Sequence, residues 1–242
     1  MTRLLILLSL LVGQISSAQK VTDSSFGKPI LFYTVYDPWA MFMGADGPIL
    51  ALYETGKIIF WKDNEYRFAQ LTKEEKDNLI NEMSLTDTFF SKSKSIQATY
   101  STDQPSYVLE TNFDTLKFFS VYGHIKEKQT RKNIPNQLSV VYNSVLEFDN
   151  DDAISWIPNK IEIMLSNCSH SPEIPLKWPG NWPDLNDPET INRQGGVTSI
   201  YLDKKHFADL KSLLKRRKEK QAIEINGQKF YVGYRFPFPN LN

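Results

Sequence analysis

Short apolar runs that alternate with tight-turn signals constrain the fold of this chain more than any other feature. Ala222–Ile225 and Lys229–Tyr234 flank Asn226-Gly227. An Asn-Gly pair between two such runs is the strongest short-range signal of a β-hairpin. A second pair of runs flanks Gly56, which can adopt the positive φ of a tight turn. The pattern predicts a mainly antiparallel sheet built from hairpins.

Helical signals recur between these hairpins. Thr72-Lys73-Glu74-Glu75 has the form of a capping box, which predicts a helix that begins after Thr72. Leu138, Val141 and Val145 lie at helical spacing and indicate one apolar face. A third helix is predicted after Val197–Leu202. The sequence therefore predicts an α+β fold, in which the sheet packs against about three amphipathic helices.

The start of the folded region and its longest loop are read from turn residues. Residues 19–38 are interpreted as an entry arm, and Trp39–Met43 as a short buried first strand. Residues 167–196 are rich in proline and indicate a long, stiff loop. Loops of this length in compact domains are often functional.

The first eighteen residues have the pattern of a secretory signal peptide. Arg3 precedes the apolar run Leu4–Val12, and Ser16 and Ala18 supply small side chains before Gln19. This predicts cleavage after Ala18 and a secreted or periplasmic protein that is not a lipoprotein. The mature chain is expected to form a single α+β domain over residues 19–242, or two interlocked halves at about 19–150 and 151–242.

Composition excludes several classes of partner and cross-link. The chain has 28 basic and 28 acidic residues, so no strong field attracts nucleic acid. After the leader, no apolar segment is long enough to span a membrane. Cys168 is the sole cysteine, which rules out an internal disulfide. It is interpreted as a buried small side chain, with an exposed thiol as the alternative.

Residues capable of catalysis occur without a recognisable catalytic set. Cys168 and His170 could act as nucleophile and base, but two residues of one strand segment need not touch. His124 follows a predicted strand end. Four aspartates lie in predicted turns: Asp37, Asp46, Asp103 and Asp114. Turn aspartates usually bond to their own backbone, so no catalytic residue, metal site or cofactor is predicted.

Two tryptophans in the proline-rich loop are the predicted binding residues. Trp178 and Trp182 lie in Trp-Pro-Gly-Asn-Trp-Pro. On a stiff loop they could stack on sugar faces or hold a proline-rich peptide. Alternatively, both rings fold back over the sheet as a lid, because large exposed aromatic groups are costly.

Four short phrases resemble a family of uncharacterised bacterial secreted or envelope domains. They are Ala51–Phe60, Leu71–Glu75, Thr102–Pro105 and Val121–Gly123. In that family a hairpin with Tyr-x-x-Gly precedes a helix that begins Leu-Ser/Thr-x-Glu. The resemblance covers about residues 40–125 and implies a fold, not a reaction.

The sequence leads to three hypotheses of function. The first is a non-catalytic binding or interaction module of the bacterial periplasm or exterior, which contacts a protein or glycan ligand through Trp178 and Trp182. The second is a hydrolase of envelope polysaccharide or peptide that uses turn aspartates and His124. The third is an inhibitor or accessory protein of another secreted protein.

Overall fold

The computed structural model describes residues 22–40, 42 and 47–241, which form two sheets and four α-helices. The predicted signal peptide lies outside these residues. The first sheet contains β1 (Pro29–Tyr36), β2 (Pro48–Tyr53), β3 (Lys57–Lys62), β4 (Glu65–Gln70), β5 (Lys94–Gln97), β6 (Ser106–Thr111), β7 (Lys117–Tyr122) and β8 (Ile154–Ser155). The second contains β9 (Lys160–Asn167), β10 (Leu176–Lys177), β11 (Ile191–Asn192), β12 (Val197–Asp203), β13 (Ile223–Ile225) and β14 (Gln228–Arg235). The helices are α1 (Lys73–Glu82), α2 (Lys128–Arg131), α3 (Asn136–Glu147) and α4 (Phe207–Arg216).

Both sheets are mostly antiparallel, which confirms the predicted α+β class. The first sheet has the order β5-β7-β6-β1-β2-β3-β4-β8, and the second has the order β10-β13-β14-β9-β12-β11. Only the short β5 and β10 pair in parallel with their neighbours. The chain passes from one sheet to the other between β8 and β9.

The predicted turn and cap signals are present. Asn226 and Gly227 have φ of +50° and +77°, as a type I′ turn between β13 and β14 requires. The Thr72 hydroxyl accepts the amide of Glu75 at 3.2 Å, and the Glu75 carboxylate accepts the amide of Thr72 at 2.7 Å. These hydrogen bonds complete the capping box of α1 and lower the pKa of Glu75.

The position of the first strand was predicted wrongly. Residues 29–36, interpreted as part of an entry arm, form β1 in the middle of the first sheet, between β2 and β6. Trp39 and Phe42 lie outside any strand. The physical reason is that the segment from Ile30 to Tyr36 is almost wholly apolar, aromatic or β-branched, which suits a strand covered on both faces.

Each sheet has its own core on one face. Helices α1 and α3 cover the first sheet with Leu79, Met83, Val141 and Val145 against Leu31, Leu50 and Phe60. The second sheet is covered by α4, whose Leu210 and Leu213 pack over Ile163 and Ile200. Amphipathic helices therefore bury one face of each sheet and leave the other face for contacts elsewhere.

The C-terminal segment and the β1–β2 connection tie the two sheets together. After β14, Phe238 packs against Tyr53 and Ile59 on the face of the first sheet away from the helices. The Tyr53 hydroxyl donates to the carbonyl of Pro239 at 3.0 Å. From the other direction, Phe42 packs on Gly233 of the second sheet, where a Cβ would lie 2.7 Å from its ring. These contacts hold the two sheets against each other.

Candidate functional site

Trp178 and Trp182, the predicted contact residues, are buried. Their side chains are 8% and 7% exposed and belong to the core of the second sheet. The rings meet edge to face with centroids 4.9 Å apart, and Trp178 Nε1 donates to the Pro183 carbonyl at 2.9 Å. Of the two alternatives for these rings, the structure shows the one in which both fold back over the sheet, and they do not form an exposed contact surface. The two rings form a lid, because α4 alone does not cover the apolar face of the sheet.

Cys168 is buried, in agreement with its predicted role as a small side chain. Its neighbour is Tyr231, whose pKa is raised by the contact with the Cys168 side chain. Tyr231 Oη also lies 3.5 Å from His170 Nε2. The phenol thus contacts both side chains, and no direct Cys168–His170 contact is seen in the described structure.

A cleft of about 570 Å³ opens between the two sheets, and six aromatic side chains line it. We call it the aromatic cleft and define it by Trp61, Tyr66, Trp156, Phe207, Tyr234 and Phe236. Trp61 and Tyr66 come from adjacent positions of β3 and β4, which pair residue to residue. Tyr234 comes from β14, and Phe207 begins α4. The two walls therefore belong to different sheets.

The rings of the aromatic cleft hold one another in fixed orientations. Trp61 meets Tyr66 edge to face with centroids 4.8 Å apart, and Tyr234 meets Phe207 edge to face at 5.3 Å. Phe236 links the walls, with its centroid 5.8 Å from Tyr66 and 5.2 Å from Phe207. Edge-to-face packing of this kind adds about 0.5–1.5 kcal/mol for each pair beyond area burial. The cleft is consequently preformed.

Two of these rings remain accessible in spite of their size. Trp61 is 45% exposed and Tyr234 is 37% exposed. Ile157, which follows the edge strand β8, also lines the cleft and is exposed. A cluster of exposed apolar groups at a concave surface is typical of a ligand-binding site, because exposure of such groups has no benefit for folding.

Polar groups are fixed at the rim of the aromatic cleft. The Glu65 carboxylate accepts the Ser155 hydroxyl at 3.1 Å and lies 3.4 Å from Arg67 Nε. Lys211 Nζ lies 4.9 Å from the centroid of Phe207. Burial raises the pKa of Tyr234, so its phenol keeps its proton and stays a hydrogen-bond donor at neutral pH. The rim carries charges of both signs with no strong excess.

The structure brings three residues of the hydrolase hypothesis around one cavity. His124, Asp37 and Asp103 line a space of about 480 Å³ together with Trp39 and Tyr107. His124 Nδ1 is buried and has no hydrogen-bond partner within the described residues. The other turn aspartates are not part of this cavity: Asp114 is absent from its lining, and Asp46 lies outside the described residues.

Residues that would hold a metal ion do not cluster in the part of the chain that the structure describes: no three His, Cys, Asp or Glu side chains converge there. Within the same residues, no helix has the length and apolar composition needed to cross a membrane.

The aromatic cleft was missed from the sequence. The signal for it is in β3, where Phe60 and Trp61 are adjacent, so strand alternation must turn one of the two large rings away from the helical core. What the alternation does not reveal is the second wall, because Trp61 and Tyr234 are far apart in the chain.

The chain matches no family model, no curated protein and no solved structure. The resemblance to secreted and envelope domains therefore stays a prediction, and the geometry of the sites is the basis for any inference of function.

Proposed function

We propose that the protein is a non-catalytic binding module of the bacterial periplasm or exterior, and that its aromatic cleft binds a segment of a neutral carbohydrate. The main support is the pair of accessible rings on facing walls, Trp61 and Tyr234, at a preformed cleft of about 570 Å³. Ligand sites commonly have volumes of about 300–1,000 Å³ and combine apolar walls with a few oriented polar groups.

A sugar ring suits this chemistry better than a purely apolar or a charged ligand. A pyranose has an apolar C–H face that packs on an aromatic ring and a rim of hydroxyls that need hydrogen-bond partners. Trp61 and Tyr234 provide ring faces with a polar edge, and Glu65 is an acceptor already held by Ser155 and Arg67. Glu65 and Arg235 at the cleft are already in ion pairs, with Arg67 and Glu162, and an uncharged ligand leaves both pairs intact.

The test is binding of the mature chain to an array of neutral glycans, followed by calorimetry on the glycan that binds best. We expect Trp61→Ala and Tyr234→Ala each to weaken binding by about tenfold or more, because each removes one stacking wall. Tyr100→Ala is the matched control, since Tyr100 is 95% exposed and remote from the cleft. Loss of affinity in the control, or unchanged affinity in both cleft variants, contradicts the proposal, as does binding of proline-rich peptides without binding of any glycan.

A second candidate function is hydrolysis at the cavity around His124. The supporting observation is the unpartnered His124 Nδ1 in a cavity that also contains Asp37 and Asp103. An imidazole with nearby carboxylates can act as a general base or acid. Mature protein incubated with purified envelope polysaccharide and peptide would release products in a manner abolished by His124→Ala. The control is His170→Ala, because His170 is exposed and borders Tyr231 instead.

A further inference from the structure

A second concave space, partly open to solvent, lies between the sheets next to the aromatic cleft, and Gly47, Pro48, Arg235 and Phe236 border both. Its volume is about 440 Å³. We call it the inter-sheet cavity and define it by Phe32, Thr34, Glu110, Arg235, Phe236 and Phe238. Its walls thus combine aromatic and aliphatic side chains with polar and charged groups in comparable measure.

Thr34 and Glu110 contribute the polar groups of the first sheet. Strands β1 and β6 pair Phe32 with Glu110 and Thr34 with Val108. Thr34 and Glu110 are thus diagonal neighbours on one face of the sheet, within about 8 Å of each other. Both border the inter-sheet cavity.

Neither group is satisfied within the described part of the protein. Thr34 is 2% exposed, and its hydroxyl oxygen has no hydrogen-bond partner among the described residues. Glu110 forms no ion pair or hydrogen bond there, and partial burial raises its pKa. Native proteins pair nearly all of their buried polar groups, so an orphaned group beside a cavity calls for a partner from outside the chain.

The second sheet contributes an excess of positive charge on the opposite side. Glu162, 1% exposed, is held between Arg193 at 2.6 Å and Arg235 at 2.7 Å. Ser199 donates a further hydrogen bond to the same carboxylate at 2.6 Å. Within this trio the two guanidinium groups carry one more charge than the Glu162 carboxylate. Arg235 and Glu162 line the cavity, and the exposed Lys28, which precedes β1 of the first sheet, also borders it.

We propose that the inter-sheet cavity binds an apolar α-amino acid, free or in a short peptide. The ammonium group pairs with Glu110 and donates a further hydrogen bond to Thr34 Oγ1. The carboxylate faces the cationic cluster at Arg235. The side chain packs among Phe32, Phe236 and Phe238. A zwitterion pairs with the negative charge of Glu110 and with the positive charge at Arg235 at the same time. A simple amine or a simple acid pairs with only one of the two.

The first experiment is calorimetry of the mature protein with L-phenylalanine and the dipeptide leucyl-phenylalanine. L-Phenylalaninamide, which lacks the carboxylate, and N-acetyl-L-phenylalanine, which lacks the ammonium, are the matched ligands. We expect the affinity of each of these two ligands to be at least about tenfold lower than that of phenylalanine, since each leaves one charged wall of the cavity unpaired. If the dipeptide binds and free phenylalanine does not, the natural ligand is a short peptide and not a free amino acid. Equal affinity for phenylalanine and phenylalaninamide, or no binding of either zwitterion at millimolar concentration, overturns the proposal.

The second experiment locates the site. Glu110→Gln is expected to weaken phenylalanine by about tenfold and to leave N-acetyl-L-phenylalanine unchanged, because the lost pairing involves the ammonium. Thr34→Val preserves shape and is expected to weaken phenylalanine while the melting temperature does not fall. Glu82→Gln, an exposed acid at the end of α1, is the control. Unchanged affinity in both cavity variants overturns the proposal. Trp61→Ala should not affect amino-acid binding, so this result is independent of the aromatic cleft.

Discussion

The polar groups on the facing sides of the two sheets differ in whether they have hydrogen-bond or ion-pair partners. On the second sheet, Glu162 is fully surrounded by Arg193, Arg235 and Ser199. On the first sheet, Thr34 and Glu110 border the same cavity without a partner in the described structure. A satisfied network stabilises and orients, whereas an unsatisfied pair costs stability unless a ligand completes it. The comparison assigns a mainly structural role to the Glu162 network, whose Arg235 also borders the cavity, and a binding role to Thr34 and Glu110.

The aromatic residues repeat this division. Trp178 and Trp182 of the second sheet are buried in a core, and Trp61 of the first sheet stands half exposed at the aromatic cleft. A tryptophan that closes a core serves folding, and one that lines a preformed cleft serves recognition. Substitution of a core tryptophan should therefore affect mainly stability, and substitution of a cleft tryptophan should affect mainly binding.

The largest effect is expected from Trp182→Ala. Its removal leaves a large void beside Trp178 in the second core and should lower the free energy of unfolding by about 4 kcal/mol. Denaturant unfolding followed by circular dichroism measures this. Trp61→Ala should change stability by less than about 1 kcal/mol, because its ring is 45% exposed. If the two variants lose equal stability, the distinction between core and cleft tryptophans is wrong.

Glu162→Gln should cost about 3 kcal/mol. The amide keeps the shape of the carboxylate, but Arg193 and Arg235 are then left without the charge that compensates them in a buried position. Urea unfolding curves of the variant and of Glu82→Gln, an exposed acid, supply the measurement and its control. A loss below about 1 kcal/mol would show that solvent reaches the cluster and that it is not a saturated network.

Local features of this fold were predictable because they depend on a few neighbouring residues. The capping box of Thr72 and Glu75 and the Asn226-Gly227 turn are each complete within four residues of sequence. The burial of Cys168 was predictable because free cysteine side chains are usually buried. Residues 29–36 were assigned to an arm although their composition suits a central strand, so the error there lay in the reading of the sequence.

The candidate sites were not predictable, because each needs residues from both sheets. Trp61 comes to line one cleft with Phe207 and Tyr234 only after the sheets have packed, and Thr34 comes to line one cavity with Arg235 in the same way. The burial of Trp178 and Trp182 also depends on distant residues. Their rings cover the part of the apolar face of β9, β12 and β14 that α4 leaves uncovered. The sequence of a loop does not show whether an uncovered apolar surface is available for its side chains to pack against.

Thr34→Val should raise the free energy of unfolding by about 1 kcal/mol in ligand-free protein. The replacement has nearly the same shape and removes a buried hydroxyl oxygen that has no partner among the described residues. Thermal unfolding measures the gain, and Thr111→Val, on the neighbouring strand β6, serves as a comparison at another buried threonine. A loss of stability in Thr34→Val would mean that the hydroxyl is already satisfied, and the first sheet would then resemble the second.

The smallest expected effect, and the only one that depends on pH, belongs to Glu110→Gln. Burial raises the pKa of Glu110 in the folded protein above its ordinary value of 4.5. Below pH 4.5 the group is protonated in the folded and unfolded states, so it has no effect on stability. As the pH rises toward and through the folded pKa, the wild type must ionise a half-buried carboxyl and loses stability relative to the glutamine variant.

Solvent screening keeps this difference below about 1 kcal/mol at pH 7. The measurement is the difference in melting temperature between wild type and Glu110→Gln at pH 3.5 and pH 7, with Glu82→Gln as the exposed control. We expect no difference at pH 3.5 and a more stable variant at pH 7. A less stable variant at pH 7 would show that the Glu110 carboxylate already has a favourable partner in the unliganded protein, which would remove the contrast with Glu162. Saturating phenylalanine should reverse the order of the two melting temperatures, because a tenfold difference in affinity lets the ligand stabilise the wild type by about 1.4 kcal/mol more than the variant.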